Sequence, residues 1–118
     1  MPEKKNIKIL FLPCAGSSGF GQLTNDAAFE LMERGVGDKS CIASLAAKVP
    51  AKMMLAKSAG RIITLEGCPM KCAQKIVEGA GFPKPECILA TDLKTRLGGP
   101  RPTKEETKKF ADYVMERI

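Results

Sequence analysis

Two periods of apolar placement divide this chain. The run Ile7-Lys8-Ile9-Leu10-Phe11-Leu12 is nearly continuous in its apolar end, which is the pattern of a strand buried on both faces of a parallel sheet. Pro13-Cys14 closes it, and a loop of small residues follows to Gly21. Over residues 22–34 the period lengthens to that of a helix, with Leu23, Ala27 and Leu31, joined by Ala28 and Met32, on one face. Gly35 and Gly37 end it. Residues 39–45, with Cys41 and Ile42 inside, predict a weaker second strand. Pro50 opens a second helix over 51–59, ended by Gly60, in which Met53, Met54 and Leu55 read as core. Residues 61–65 predict a third strand. A third helix from Pro69 to Gly79 or Gly81 would turn Ala73, Ile76, Val77 and Ala80 inward. After the turn Phe82-Pro83-Lys84-Pro85, residues 87–90 predict a fourth strand that ends at Thr91-Asp92. A Gly/Pro-rich connector over 94–102 leads to the last helix. There Thr103 and Glu106 form a capping-box pattern, and Phe110, Val114 and Ile118, with Ala111 and Met115, form the apolar stripe.

Strand and helix thus alternate four times. Such alternation predicts an α/β fold with helices on both faces of a parallel sheet. The expected architecture is a three-layer sandwich, Rossmann-like or flavodoxin-like, with a four-stranded sheet of order 2-1-3-4. Its topological switch point falls between strands 1 and 3. No repeat or linker divides the chain, so residues 1–118 are expected to form one domain. At this length, 44% hydrophobic and 27% charged residues are enough to build a core without metal or disulfide staples.

Composition narrows the chemistry. Histidine is absent, which excludes Cys/His zinc sites, Ser-His-Asp triads and Cys-His nucleophile pairs. The five cysteines are an odd number. Met1 to Lys5 run straight into an apolar stretch too short for a secretory leader, and no stretch approaches the length of a membrane span. The expectation is therefore a cytoplasmic protein with reduced thiols, where clustered cysteines signal metal or thiol chemistry. The formal charge of +6 becomes about +4 if four thiolates take up one divalent cation. One tyrosine, no tryptophan and no dense basic run argue against a nucleic-acid partner on composition.

The segment Glu66-Gly67-Cys68-Pro69-Met70-Lys71-Cys72-Ala73 carries the strongest signal. With Pro69 at the first helical position, Cys68 would sit at a strand-to-helix turn and Cys72 one turn inside the helix, on the same face. Helix N-termini favour thiolates. In the order 2-1-3-4, Cys14 follows strand 1, Cys68 follows its neighbour strand 3, and Cys41 lies late in strand 2 or just after it. All four sulfurs can therefore gather at the carboxyl edge of the sheet, where open α/β folds bind ligands. Four thiolates can complete a tetrahedral zinc shell, although spacings of 27, 27 and four residues are not those of a zinc finger. Small buried hydrophobes are the other reading of the Cys68–Cys72 pair. If Cys41 faces the core, Asp92 or water could be the fourth ligand. Lys71 and Lys75 could offset the net charge of such a centre. Cys87, at the start of strand 4, reads as a core residue.

The loop Cys14-Ala15-Gly16-Ser17-Ser18-Gly19 also allows an anion cradle. It is neither a Walker A loop nor GxGxxG, and Phe20 occupies the position where a C-x5-R phosphatase loop needs arginine.

Cys14 with Gly16, Gly21-Gln22-Leu23 with Asn25 and Ala27-Ala28, Cys41, Gly67-Cys68 with Cys72-Ala73, and Thr91-Asp92-Leu93 together resemble the DGC-domain family of zinc-binding proteins. Glu66 stands where the family's name has aspartate. The resemblance implies Zn(2+) as cofactor and Cys14, Cys41, Cys68 and Cys72 as its chelators. It implies no particular reaction. The alternative is a thiol-based redox or sulfur-transfer protein using Cys68 with Cys72 or Cys14. A metal ion is the expected partner in the first reading, with no membrane partner in either.

Overall fold

The computed structural model describes residues 8–93 and 101–118. Ile7 and residues 94–100 of the expected connector lie outside them. Four strands, β1 (Ile9–Pro13), β2 (Asp38–Lys39), β3 (Arg61–Glu66) and β4 (Glu86–Leu89), form one sheet of order β2-β1-β3-β4. Every neighbouring pair is parallel, with Leu10 opposite Asp38, Phe11 opposite Ile63 and Thr64 opposite Cys87. The α/β architecture and strand order read from the apolar pattern are those of the molecule.

Among the described residues, five helices cover the sheet. They are α1 (Gly19–Glu33), α2 (Ile42–Ala46), α3 (Pro50–Ser58), α4 (Cys72–Gly79) and α5 (Lys104–Arg117), and a 3₁₀ turn spans Ala90–Leu93. Side chains alternate across a strand, which divides the core into two layers. Phe11, Ile63, Leu65 and Ile88 face α1 and α5, meeting Leu23, Ala27, Leu31, Phe110 and Val114. Leu10 and Leu12 face the other way, onto Leu45 of α2, Ala56 of α3 and Val77 of α4.

Several boundaries differ from the sequence pattern. Helix α1 begins at Gly19 rather than residue 22, because the Ser18 hydroxyl accepts the Gly21 N–H at 3.0 Å and caps the extra turn. The expected strand over 39–45 shrinks to Asp38–Lys39. Only one further ladder bond follows, from the Ser40 N–H to the Phe11 carbonyl at 3.1 Å. Residues 42–46 are helical instead, since their Ala and Leu residues favour a helix that buries Leu45. The third helix does not start at Pro69. Residues 68–71 form a turn, and α4 begins at Cys72. Among the methionines assigned to helix stripes, Met54 is 71% exposed, and Met32 and Met115 also face solvent. Met53 and Leu55 pack onto the core as expected. Thr103 and Glu106 close the capping box of α5 in both directions.

Candidate functional site

The switch point between β1 and β3 is built by close backbone contact. The Cys14 N–H donates to the Leu65 carbonyl at 2.8 Å, extending the β1–β3 pairing beyond Pro13. The chain then turns through Ala15 in the left-handed region (φ 51°), a conformation that costs a non-glycine residue about 1–2 kcal/mol. Thr24, fully buried on α1, holds this turn. Its hydroxyl accepts the Ala15 N–H at 3.2 Å and donates to the Gly21 carbonyl at 2.6 Å.

Gly21 and Gly67 let the loops touch. A Cβ on Gly21 would lie 2.5 Å from the Gly16 oxygen, and one on Gly67 would lie 2.8 Å from the Gly21 nitrogen. Gly21 and Gly67 therefore serve close backbone packing. This approach brings the Gly67 N–H to 3.3 Å from the half-buried Cys14 Sγ, which accepts the bond. The Thr24 hydroxyl lies 3.8 Å from the same sulfur.

Cys68, the next residue, is exposed. Its carbonyl accepts the Lys71 N–H at 3.3 Å, and Lys71 is left-handed (φ 54°) just before α4. Cys72 is the first residue of α4 and is also exposed. The two cysteines thus flank a turn and do not share a helix face. The cause is Glu66. Its side chain, 1% exposed, projects from the end of β3 and accepts the Ala73 N–H at 3.2 Å on Oε1 and the Gln74 N–H at 2.8 Å on Oε2. The strand's own carboxylate caps the helix where Lys71 supplies no cap. Sequence reading missed this role, although a glutamate ending an apolar strand is a signal that a buried charge needs partners.

Cys41 follows β2 and is the N-cap residue of α2. Hydrogen bonding by the Ser44 backbone and side chain draws its thiol below the ordinary value, with smaller help from the Ala43 backbone and the Lys39 charge against a small burial penalty. Cys14 and Cys41 line one cavity of about 260 Å³ together with Asn25, Lys39 and Ser40. Cys87, half-buried on β4, has its thiol pushed up mainly by burial. Asp92 follows β4 at the same sheet edge, where its carboxylate accepts from the Tyr113 hydroxyl at 3.5 Å.

The structure therefore places Cys14, Cys41 and Cys68 just after three adjacent strands and Cys72 at the start of α4. It brings Cys14 and Cys41 to one cavity and sets Cys68 and Cys72 at the two ends of the neighbouring turn. As the side chains stand, no three Cys, Asp or Glu groups among the described residues are arranged to hold a metal ion. The donors suit a soft cation in kind, being thiols on loops at one edge, and one sulfur already accepts a backbone N–H, the bond that supports metal thiolates.

An α/β domain with a thiol-bearing switch point is the class that fold and site define. Residues 10–114 match the DGC domain, and the chain belongs to that family. It is 37% identical over 65 residues to the anaerobic and virulence modulator AnvM of Pseudomonas aeruginosa, a match covering 55% of this chain and 50% of AnvM. The chain thus matches about half the length of that relative. No solved structure matches it. Among the described residues, no helix is long and apolar enough to cross a membrane.

Proposed function

We propose that this chain binds zinc through Cys14, Cys41, Cys68 and Cys72. The observation that supports this most is the delivery of four thiols to one sheet edge by the loops after β1, β2 and β3. Cys41, Cys68 and Cys72 are exposed and not committed to the core, and the Gly67 N–H is aimed at the fourth sulfur. Bound zinc would link the three loops, and four thiolates leave no open coordination position, so the role is structural, storage or delivery rather than hydrolysis. Lys71 and Lys75 offer positive charge beside the thiolates. The test is zinc content by elemental mass spectrometry on tag-free protein purified without oxygen. About one zinc per chain is expected, released by Cys68→Ser or Cys72→Ser. Full occupancy in both variants would refute the assignment.

A second reading is reversible thiol oxidation using Cys68 with Cys14 or Cys72. The hydrogen bond from Gly67 to Cys14 favours it, because it sets the residue beside Cys68 against the Cys14 sulfur. In this reaction two thiols lose two electrons and two protons to form a disulfide, while oxidised glutathione is reduced to two thiols. The relative named as an anaerobic modulator accords with thiols whose state follows oxygen. Peptide mapping after glutathione treatment decides: a Cys68 disulfide supports this reading, and five free thiols remove it.

A further inference from the structure

The helical layer formed by α2, α3 and α4 carries an excess of positive charge. Residues 39–65 contain no aspartate or glutamate. Lys48, Lys52, Lys57, Lys71 and Lys75 lie on or beside these three helices and are opposed there by Glu78. Among the described residues none of the five lysines forms an ion pair. The opposite layer differs. There α1 carries three acidic residues and α5 carries four acidic and four basic ones.

The same layer has a concave apolar feature. Ala46 at the end of α2 and Ile76, Gly79 and Ala80 at the end of α4 line a notch of about 200 Å³, and Lys48 stands at its rim. Lys48 is held there at φ 58°, a helix-end position where glycine is the usual residue. Its N–H donates to the Leu45 carbonyl, and the next N–H, of Val49, donates to the Ser44 carbonyl, both at 3.0 Å. A left-handed lysine costs stability, and here it sets a cation beside an apolar hollow. Val49 and Met54, beside and on α3 in the same layer, are 40% and 71% exposed.

We propose that the α2–α3–α4 face binds an acidic protein segment. The segment's aliphatic side chain fills the notch between α2 and α4, and its flanking carboxylates meet Lys48, Lys52 and Lys75. Charge complementarity selects the partner, and burial of one aliphatic side chain against Ala46 and Ile76 sets the register. The chemistry favours a peptide over other polyanions. Residues 42–59 contain neither arginine nor an aromatic residue, so the face has no fork for phosphates and no platform for bases. The proposal does not depend on zinc.

The probe is a fluorescein-labelled heptapeptide with three glutamates on each side of one leucine, followed by anisotropy against the full chain. Saturable binding is expected at about 20 mM salt, weakened at least about tenfold at about 200 mM. Replacing the leucine of the probe with alanine should weaken binding at least about threefold. The double variant Lys48→Glu/Lys75→Glu should abolish binding, and Lys104→Glu/Lys108→Glu on the opposite layer should leave it intact. Circular dichroism of each variant verifies folding. Absence of saturable binding, equal loss from both double variants, or indifference to the leucine would overturn the proposal. So would binding of the same face to phosphatidylserine vesicles but not to the peptide.

Discussion

Removing the carboxylate of Glu66 should uncouple β3 from the start of α4. Its two oxygens each accept a backbone N–H, at 3.2 and 2.8 Å, in a site where the residue is 1% exposed. Hydrogen bonds to a charged acceptor contribute about 1.5–3 kcal/mol each, and a carboxylate at a helix N-terminus adds about 0.3–1 kcal/mol. In Glu66→Ala both N–H groups lose their partner and the side chain leaves a cavity. The contributions are not additive, so a loss of about 3–5 kcal/mol is expected. Glu66→Gln retains one acceptor and turns an amide N–H toward the other donor, so about half that loss is expected. Urea denaturation measures the loss. Amide hydrogen exchange locates it, because protection at Ala73 and Gln74 should fall before that of β1 and β3. Glu66→Ala within about 1 kcal/mol of the parent, or unchanged protection at those two amides, would refute the reasoning.

Gly21→Ala should lower the melting temperature by roughly 5–15 °C, since its Cβ would meet the Gly16 backbone oxygen at 2.5 Å. Gly79→Ala, with nothing near the added methyl, should instead raise stability by about 0.4–1 kcal/mol; equal effects in the two melting curves would refute the packing argument. Timed alkylation with iodoacetamide, read by mass spectrometry, should modify exposed Cys41 well before Cys87, whose thiol is shifted up by burial. Ser44→Ala should slow the reaction at Cys41, and an unchanged rate there would show that Ser44 does not support the thiolate. Arg61 holds the Glu86 carboxyl below its ordinary value through hydrogen bonds at 2.8 and 2.6 Å. A depressed carboxyl adds stability above its unfolded pKa and loses it as pH falls through the lower folded value. The pair is solvent-screened, so Arg61→Met should cost at most about 1 kcal/mol at pH 7 and less near pH 3 in urea titrations, and a cost that grows on acidification would contradict this.

Much of the fold can be read from the chain because two buried faces leave a regular imprint. Apolar runs at 9–12 and 61–65 mark central parallel strands, and helical stripes such as Leu23, Ala27 and Leu31 or Phe110 and Val114 mark what covers them. Right-handed crossovers then leave few ways to order four strands. The capping box at Thr103 is local, and so is visible in four residues. Short elements were not legible in the same way. Residues 38–46 hold a two-residue strand and a five-residue helix, and neither is long enough for a period to declare itself. Met54 has the composition of a core residue, yet only the seating of α3 on Leu10 and Leu12 decides that Met53 turns inward and Met54 outward.

The sequence by itself determined the α/β class, the strand order and the placement of cysteines after three strands, because these follow from periodicity and topology. Only the tertiary structure decided how the thiols are presented. Pro69 suggested a helix holding Cys68 and Cys72 on one face, but Glu66 reaches from the strand to the N–H groups of Ala73 and Gln74 and starts the helix at Cys72. Gly67 meets Cys14, 53 residues earlier, through contacts among glycines that no local pattern announces. Hydrogen bonds between residues distant in sequence form only once the sheet has brought their loops together. Their geometry therefore belongs to the assembled edge rather than to any segment of the chain.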